Sequence, residues 1–363
     1  MKGALTLLLC FWLMVCCTTT AWAQLPEEVE EALPEAAEEL LEDLGETEAD
    51  TGTLQRGLRR MGEMAWDVLS RDFRASLRVV ILLLSVVLLH GMTESIFEST
   101  GGSKMVNVIP LAFVLVVTMT TAGDMQTMIG TGMATMEELD ILAKALLPTL
   151  AAAVAAGGAI VSASVQNVAT VFFANLLITL IREVLLPLVY CYIAAVTANA
   201  ILPQQPLKGI ATVLRKGITW LLTGVLVVFT GYLSITNAAA NSADTLTLQL
   251  TRSAISTAVP VVGGIISRAT SSLLAGAGLL KSSLGVFGML AVLATCLTPF
   301  VSMGVQYILY KLTAFFAGLS GGGRVVELID ALGNAFGLVL GMVGACAALL
   351  LISITSSISV VIA

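Results

Sequence analysis

Residues 333–361, GNAFGLVLGMVGACAALLLISITSSISVV, contain no charged side chain and no proline. A helix needs about twenty predominantly apolar residues to cross a bilayer, so this run reads as a membrane span. Within it Gly333, Gly337 and Gly341, followed by Ala345, recur at four-residue spacing. Such a stripe of small residues lets two backbones approach closely, which supplies van der Waals contact where lipid offers no hydrophobic drive. The stripe is a candidate helix-packing site, for contact inside the chain or between subunits.

Blocks of the same kind precede it, at roughly 77–97, 106–123, 141–164, 166–181, 184–201, 217–236, 256–280, 282–303 and 305–319. The 363-residue chain is 57% hydrophobic and only 12% charged, with a mean hydropathy of +0.95, far from the balance of a soluble domain. The expected fold class is therefore all-α, a polytopic transmembrane bundle of seven to ten spans over residues 77–363, with the lipid bilayer as its first partner. Residues 166–201, with Arg182 and Glu183 at their middle, read as two short spans or one long one, and the two charges are expected to mark a loop end.

Ahead of the bundle lie three shorter regions. Lys2, an apolar run from Ala4 to Cys17 and Ala21-Trp22-Ala23 before Gln24 form the pattern of a secretory signal peptide over residues 1–23; the alternative is an uncleaved first anchor. Either way residues 24–76 are expected outside the cytoplasm. Residues 24–53 form an acidic segment: twelve carboxylates fall between Glu27 and Asp50, leaving 18 basic against 13 acidic residues elsewhere. Its few large apolar residues and its Pro26, Pro34 and Gly45 favour a flexible tail.

From residue 54 to 76 apolar residues recur every three or four positions through Leu54, Leu58, Met61, Ala65, Leu69 and Phe73, with arginines between. That is an amphipathic helix, lying on the membrane surface or docking against a partner helix. With residues 24–76 outside, the loop with Lys208, Arg215 and Lys216 falls in the cytoplasm and a loop with Glu137, Glu138 and Asp140 outside, in agreement with the positive-inside rule, whereas the arginines just before the first span run against it and the export signal is expected to override them.

No motif carries catalytic chemistry to completion. Gly318-Leu319-Ser320-Gly321-Gly322 matches the spacing of a nucleophile elbow, but it follows an apolar helix and has no neighbouring base. Gly276 to Ser282 lacks the glycine that a phosphate loop needs before its lysine. His90, the single histidine, cannot build a metal site alone. The expectation is a non-enzymatic protein with no cofactor, no metal and no nucleic-acid partner.

Charges and prolines within apolar blocks say more. An unpaired charge at mid-bilayer costs a few kcal/mol on insertion scales, so Lys144, Arg182, Glu183, Arg268, Lys281 and Lys311 each face protein, water or a partner. The lysines are expected to snorkel towards an interface. The run Ala258-Val-Pro260-Val-Val-Gly263-Gly264, followed by Arg268, reads as a broken or re-entrant helix. With Arg182 and Glu183, Pro260, Gly263, Gly264 and Arg268 are the candidate polar-pathway or subunit-contact residues, because broken helices line many transport sites.

Lys144-Ala-Leu-Leu-Pro148 with Gly157-Gly158 after it, Thr251-Arg252 leading to Val259-Pro260-Val261-Val262-Gly263-Gly264, and Leu279-Leu280-Lys281-Ser-Ser-Leu-Gly285 together resemble the stage III sporulation protein AE family. The resemblance covers nearly the whole chain and is most specific from 251 to 288. It implies a membrane component of the mother cell–forespore channel complex of endospore formation, placed in the mother-cell membrane around the forespore. Its implied partners are the other stage III A sporulation proteins, including a secretion-type ATPase and ring-forming components, and stage II sporulation protein Q. The resemblance implies no active-site residues. The competing reading is a self-contained secondary transporter for an unknown solute.

Overall fold

A computed structural model describes residues 34, 51–99, 109–202, 206–258, 263–319 and 323–359. Signal peptide, acidic tail and Pro260 fall outside these, apart from Pro34 and residues 51–53. The described chain is built from helices: α1 (Thr51–Ser99), α2 (Ile109–Ala156), α3 (Ile160–Leu180), a π turn (Ile181–Leu185), α4 (Leu186–Ile201), α5 (Lys208–Ala258), α6 (Gly263–Gly318) and α7 (Arg324–Ser359). With α3, the π turn and α4 forming one continuous rod, six helices among the described residues are long and apolar enough to cross a membrane.

Six is fewer than the seven to ten spans expected, because neighbouring blocks fuse. Glu137, Glu138 and Asp140 do not form a loop; they lie within the 48-residue α2. Glutamate is a good helix former and Asp140 pairs with Lys144 one turn on, so this polar interval between apolar blocks interrupts the hydropathy without interrupting the backbone. By the same logic the blocks ending at 303 and 319 share α6, and the amphipathic stretch continues without a break into the first apolar block as α1.

Arg182 and Glu183 do not mark a loop end either. They sit in the π turn, where the Leu186 N–H donates to the Ile181 carbonyl five residues back. Pro187 follows one residue later and has no N–H to give to the carbonyl four residues before it. A π turn absorbs such a mismatch without ending the helix.

Contacts along the rods fix their directions. Positions 72 and 76 on α1 meet 302 and 306 on α6, so these two run parallel. Tyr310, Tyr307 and Phe300 of α6 face Gly333, Gly337 and Gly344 of α7, in antiparallel order. Gln166 of α3 reaches Ser353 of α7 while Tyr192 of α4 reaches Ala331, again antiparallel. Lys208 and Leu222 of α5 approach Glu327 and Gly341 of α7 in parallel order. The chain therefore goes up and down in series: α1, α3–α4 and α6 one way, α2, α5 and α7 the other.

The tightest reversal is between α2 and α3, where Gly158 adopts φ of 91°, a left-handed conformation that glycine enters without steric cost. Helix α7 is the core of the bundle: Phe336, Val339, Met342 and Val343 are fully buried, and it packs on α2, α3, α4, α5 and α6.

The glycine stripe enters that core with an altered register. A Cβ on Gly333 would lie 3.2 Å from Cβ of Tyr310, and one on Gly337 would lie 3.0 Å from Cε2 of Tyr307, both on α6. Gly341 departs from this face, is exposed, and has only Leu222 within 4.0 Å. Four-residue steps overshoot the helical turn by about 40° each, so Gly341 lies about 80° away from Gly333, whereas Gly344 lies only about 20° away. Gly344 is the next member of the α6-facing stripe, 3.3 Å from Cε2 of Phe300. Ala345 is buried in the core.

Candidate functional site

Three polar residues of α6, Ser302, Gln306 and Tyr310, are spaced by four. They share one face and rise about 6 Å per step. That face meets α1 and α2. The Ser302 hydroxyl donates to the Asp72 carboxylate of α1, and Asp72 also pairs with Arg71 at 3.3 Å. Eight residues along α6, the Tyr310 hydroxyl donates to Oδ2 of Asp124 on α2 at 3.2 Å. Between these contacts is a cavity of about 160 Å³ lined by Ser76, Asp124, Gln306 and Tyr310, with Ala75, Val79, Val80 and Leu309 supplying the apolar wall.

The polar inventory of this cavity is unbalanced. Oε1 of Gln306 is buried without a hydrogen-bond partner. Asp124 has its tyrosine donor, and no Lys or Arg pairs with it among the described residues. An intramembrane carboxylate with no counter-charge is expensive, and buried acceptors are satisfied by protein or water in nearly all proteins. The volume holds several waters. The arrangement can therefore hold water and positive charge between α1, α2 and α6.

Two further polar groups support the core. Lys311, next in sequence to Tyr310, donates to Oδ1 of Asp330 at 2.7 Å and to the Asp330 carbonyl at 3.2 Å. On the α3–α7 interface, Gln166 Nε2 donates to the Ser353 carbonyl at 2.8 Å, and the Thr170 and Ser353 hydroxyls are 2.5 Å apart.

The residues singled out from sequence lie elsewhere. Arg182 and Glu183 are exposed on the π turn of a rod that packs on α2, α5 and α7. Pro260 lies outside the described residues; Ala258 ends α5 and Gly263 opens α6. Gly263, Gly264 and Arg268 occupy the first turns of α6, and Arg268 is about 50 Å along the axis from Ser302 at 1.5 Å per residue. Lys311 does not snorkel but pairs across helices, and Lys144 pairs with Asp140 one turn back at 2.6 Å. The side chains of Arg268 and Lys281 lie outside the described ones. His90 is buried and meets Phe113 edge to face, with ring centroids 5.2 Å apart.

Sequence reasoning missed Asp72, Ser76, Asp124, Ser302, Gln306 and Tyr310. The available signal was the four-residue spacing of polar residues inside the apolar blocks at 282–319. Asp124 was hidden because the block at 106–123 stopped one residue before it.

Comparison with known proteins agrees with the resemblance noted in the sequence. The sequence model of one family, described as Stage III sporulation protein AE, matches residues 41–361. The chain is also similar to a protein of Bacillus subtilis (strain 168) that bears the name Stage III sporulation protein AE, with 26% identity over 191 residues. That alignment takes in 53% of this chain and 48% of the relative, so the chain spans about half the length of the curated protein it matches. No solved structure matches the chain.

Proposed function

The chain belongs to the stage III sporulation protein AE family, and from that premise we propose that it is a non-enzymatic membrane subunit of the mother cell–forespore channel complex. The family gives the chain a role in sporulation, and the six long apolar helices suit a membrane protein. One observation supports the finer reading: a cavity with a carboxylate, two hydroxyls and an amide on its wall, between α1, α2 and α6. In this reading the bundle sits in the mother-cell membrane around the forespore, with residues 24–76 outside the cytoplasm. Its partners are the other stage III A proteins, including the secretion-type ATPase and the ring-forming components, and stage II sporulation protein Q.

Deletion of the gene tests this. Forespore development is expected to stop after engulfment, and the tagged protein to co-purify with the other stage III A proteins. Normal heat-resistant spores from the deletion strain would refute the assignment.

The cavity also suits the second reading, a secondary transporter acting alone. Purified protein in liposomes would then move a solute without partners, which the channel-subunit reading does not expect.

A further inference from the structure

We propose that the cavity between α1, α2 and α6 is a binding site for a hydrated monovalent alkali cation. This rests on reading the cavity as the functional part of the bundle, and it assigns that site a ligand.

The polar side chains on the cavity wall are one carboxylate, Asp124, two hydroxyls, Tyr310 and Ser76, and the amide of Gln306. Neutral and anionic oxygens select hard cations, and no His, Cys or Met, the side chains that favour transition metals, lines it. The charge count sets the valence. Asp124 is the one carboxylate on the wall, and no basic residue pairs with it among the described residues. The nearest acid on the same column, Asp72, is not on the wall and already has Arg71 and the Ser302 hydroxyl. One uncompensated negative charge in a low-dielectric setting is neutralised by a single positive charge, so a monovalent cation competes there with a proton. A divalent ion would keep a net positive charge there, and calcium sites draw on more oxygen ligands than this wall presents.

Geometry agrees. The Tyr310 hydroxyl donates a hydrogen bond to Asp124 at 3.2 Å, so its own oxygen lone pairs remain available as an acceptor. Gln306 lies one turn from Tyr310 on the same helix face, and its Oε1 has no other partner. The cavity of about 160 Å³ is far larger than a bare ion, so the cation keeps part of its water, and that water completes the shell that four protein groups leave open.

The test uses the full chain in phosphatidylglycerol–phosphatidylcholine nanodiscs. Equilibrium dialysis against radioactive sodium chloride and, separately, potassium-analogue rubidium chloride, with choline chloride holding ionic strength, measures binding. Saturable uptake of at least one of the two ions is expected, weakened roughly tenfold or more in Asp124→Asn, as for loss of a charge-assisted contact, and several-fold in Gln306→Leu. Glu183→Gln, on the far rod, is expected to bind as the parent does. No saturable uptake of either ion, unchanged affinity in Asp124→Asn, or displacement of the ion by an equal concentration of calcium would overturn the proposal. Should Asp124→Asn fail to give helical, monodisperse protein, Gln306→Leu and Ser76→Ala decide, and unchanged affinity in both overturns it. The two readings fail separately: normal spores from the deletion strain remove the sporulation role and leave binding untouched, whereas absent binding removes the cation site alone.

Discussion

The ring of Tyr307 on α6 occupies the space that a side chain at position 337 of α7 would need: a Cβ there would lie 3.0 Å from its Cε2. Gly337→Val is therefore an overpacking substitution at the most central helix contact, expected to cost about 1–3 kcal/mol. Gly341→Ala, at an exposed position whose new Cβ meets only Leu222 at 4.0 Å, is expected to be neutral or to gain a few tenths of a kcal/mol from helix propensity. Thermal unfolding of both variants in detergent micelles checks the contrast.

Lys311 and Asp330 span the α6–α7 reversal at 2.7 Å, with side chains 28% and 49% exposed. A half-exposed pair falls between the near-zero value of surface ion pairs and the several kcal/mol lost when a buried charge is orphaned. Asp330→Ala is expected to destabilise by about 1–2 kcal/mol, with a coupling of about 1 kcal/mol to Lys311→Met in a double-mutant cycle. The cycle is read from unfolding midpoints of the two single variants and the double variant.

On the α3–α7 interface Gln166 is buried and its Oε1 has no partner, although its Nε2 serves the Ser353 carbonyl. Gln166→Leu removes one hydrogen bond and one unsatisfied acceptor together, and is expected to change stability by less than about 1 kcal/mol. Thr170→Val takes away the hydroxyl that meets Ser353 at 2.5 Å and relieves nothing, so it is expected to cost about 1–2 kcal/mol. Unfolding midpoints that rank the two the other way would contradict this arrangement.

Docking of α1 on α6 is anchored at Asp72 and Ser302. Asp72→Ala is expected to speed amide exchange in residues 66–80 while leaving the centre of α7 protected, because local opening follows the loss of local contacts. Hydrogen exchange read by mass spectrometry, with Ser302→Ala as the matching variant on the other helix, tests it.

The bundle was legible in the sequence where composition alone decides, in its long apolar runs, but the Gly157-Gly158 reversal was not, because the apolar block at 141–164 runs straight across it. Span number was not. Glu137, Glu138 and Asp140 punctuate hydropathy as a loop would, and only backbone hydrogen bonding tells a charged turn of helix from a charged loop. Gly341 and Gly344 show a finer limit: a four-residue rule of thumb drifts off the helix face by its third member, and the 3.6-residue turn decides which glycine stays. The cavity was least legible of all. Asp124 and Tyr310 are separated by 186 residues, and only the up-and-down order of the helices brings them together.

Helix α1 runs unbroken from Thr51 to Ser99, with Met61 buried near one end and Ser76 on the cavity wall. A continuous hydrogen-bonded helix is stiff along its axis, so the first turn of α1 and the cavity wall share one rigid frame. At about 1.5 Å per residue Ser76 lies about 38 Å along the axis from Thr51. Trp66, 68% exposed, and Phe73 lie on the same rod beside the arginines. The exposed rings and the cavity wall therefore belong to one unbroken element, tied to α6 at Asp72.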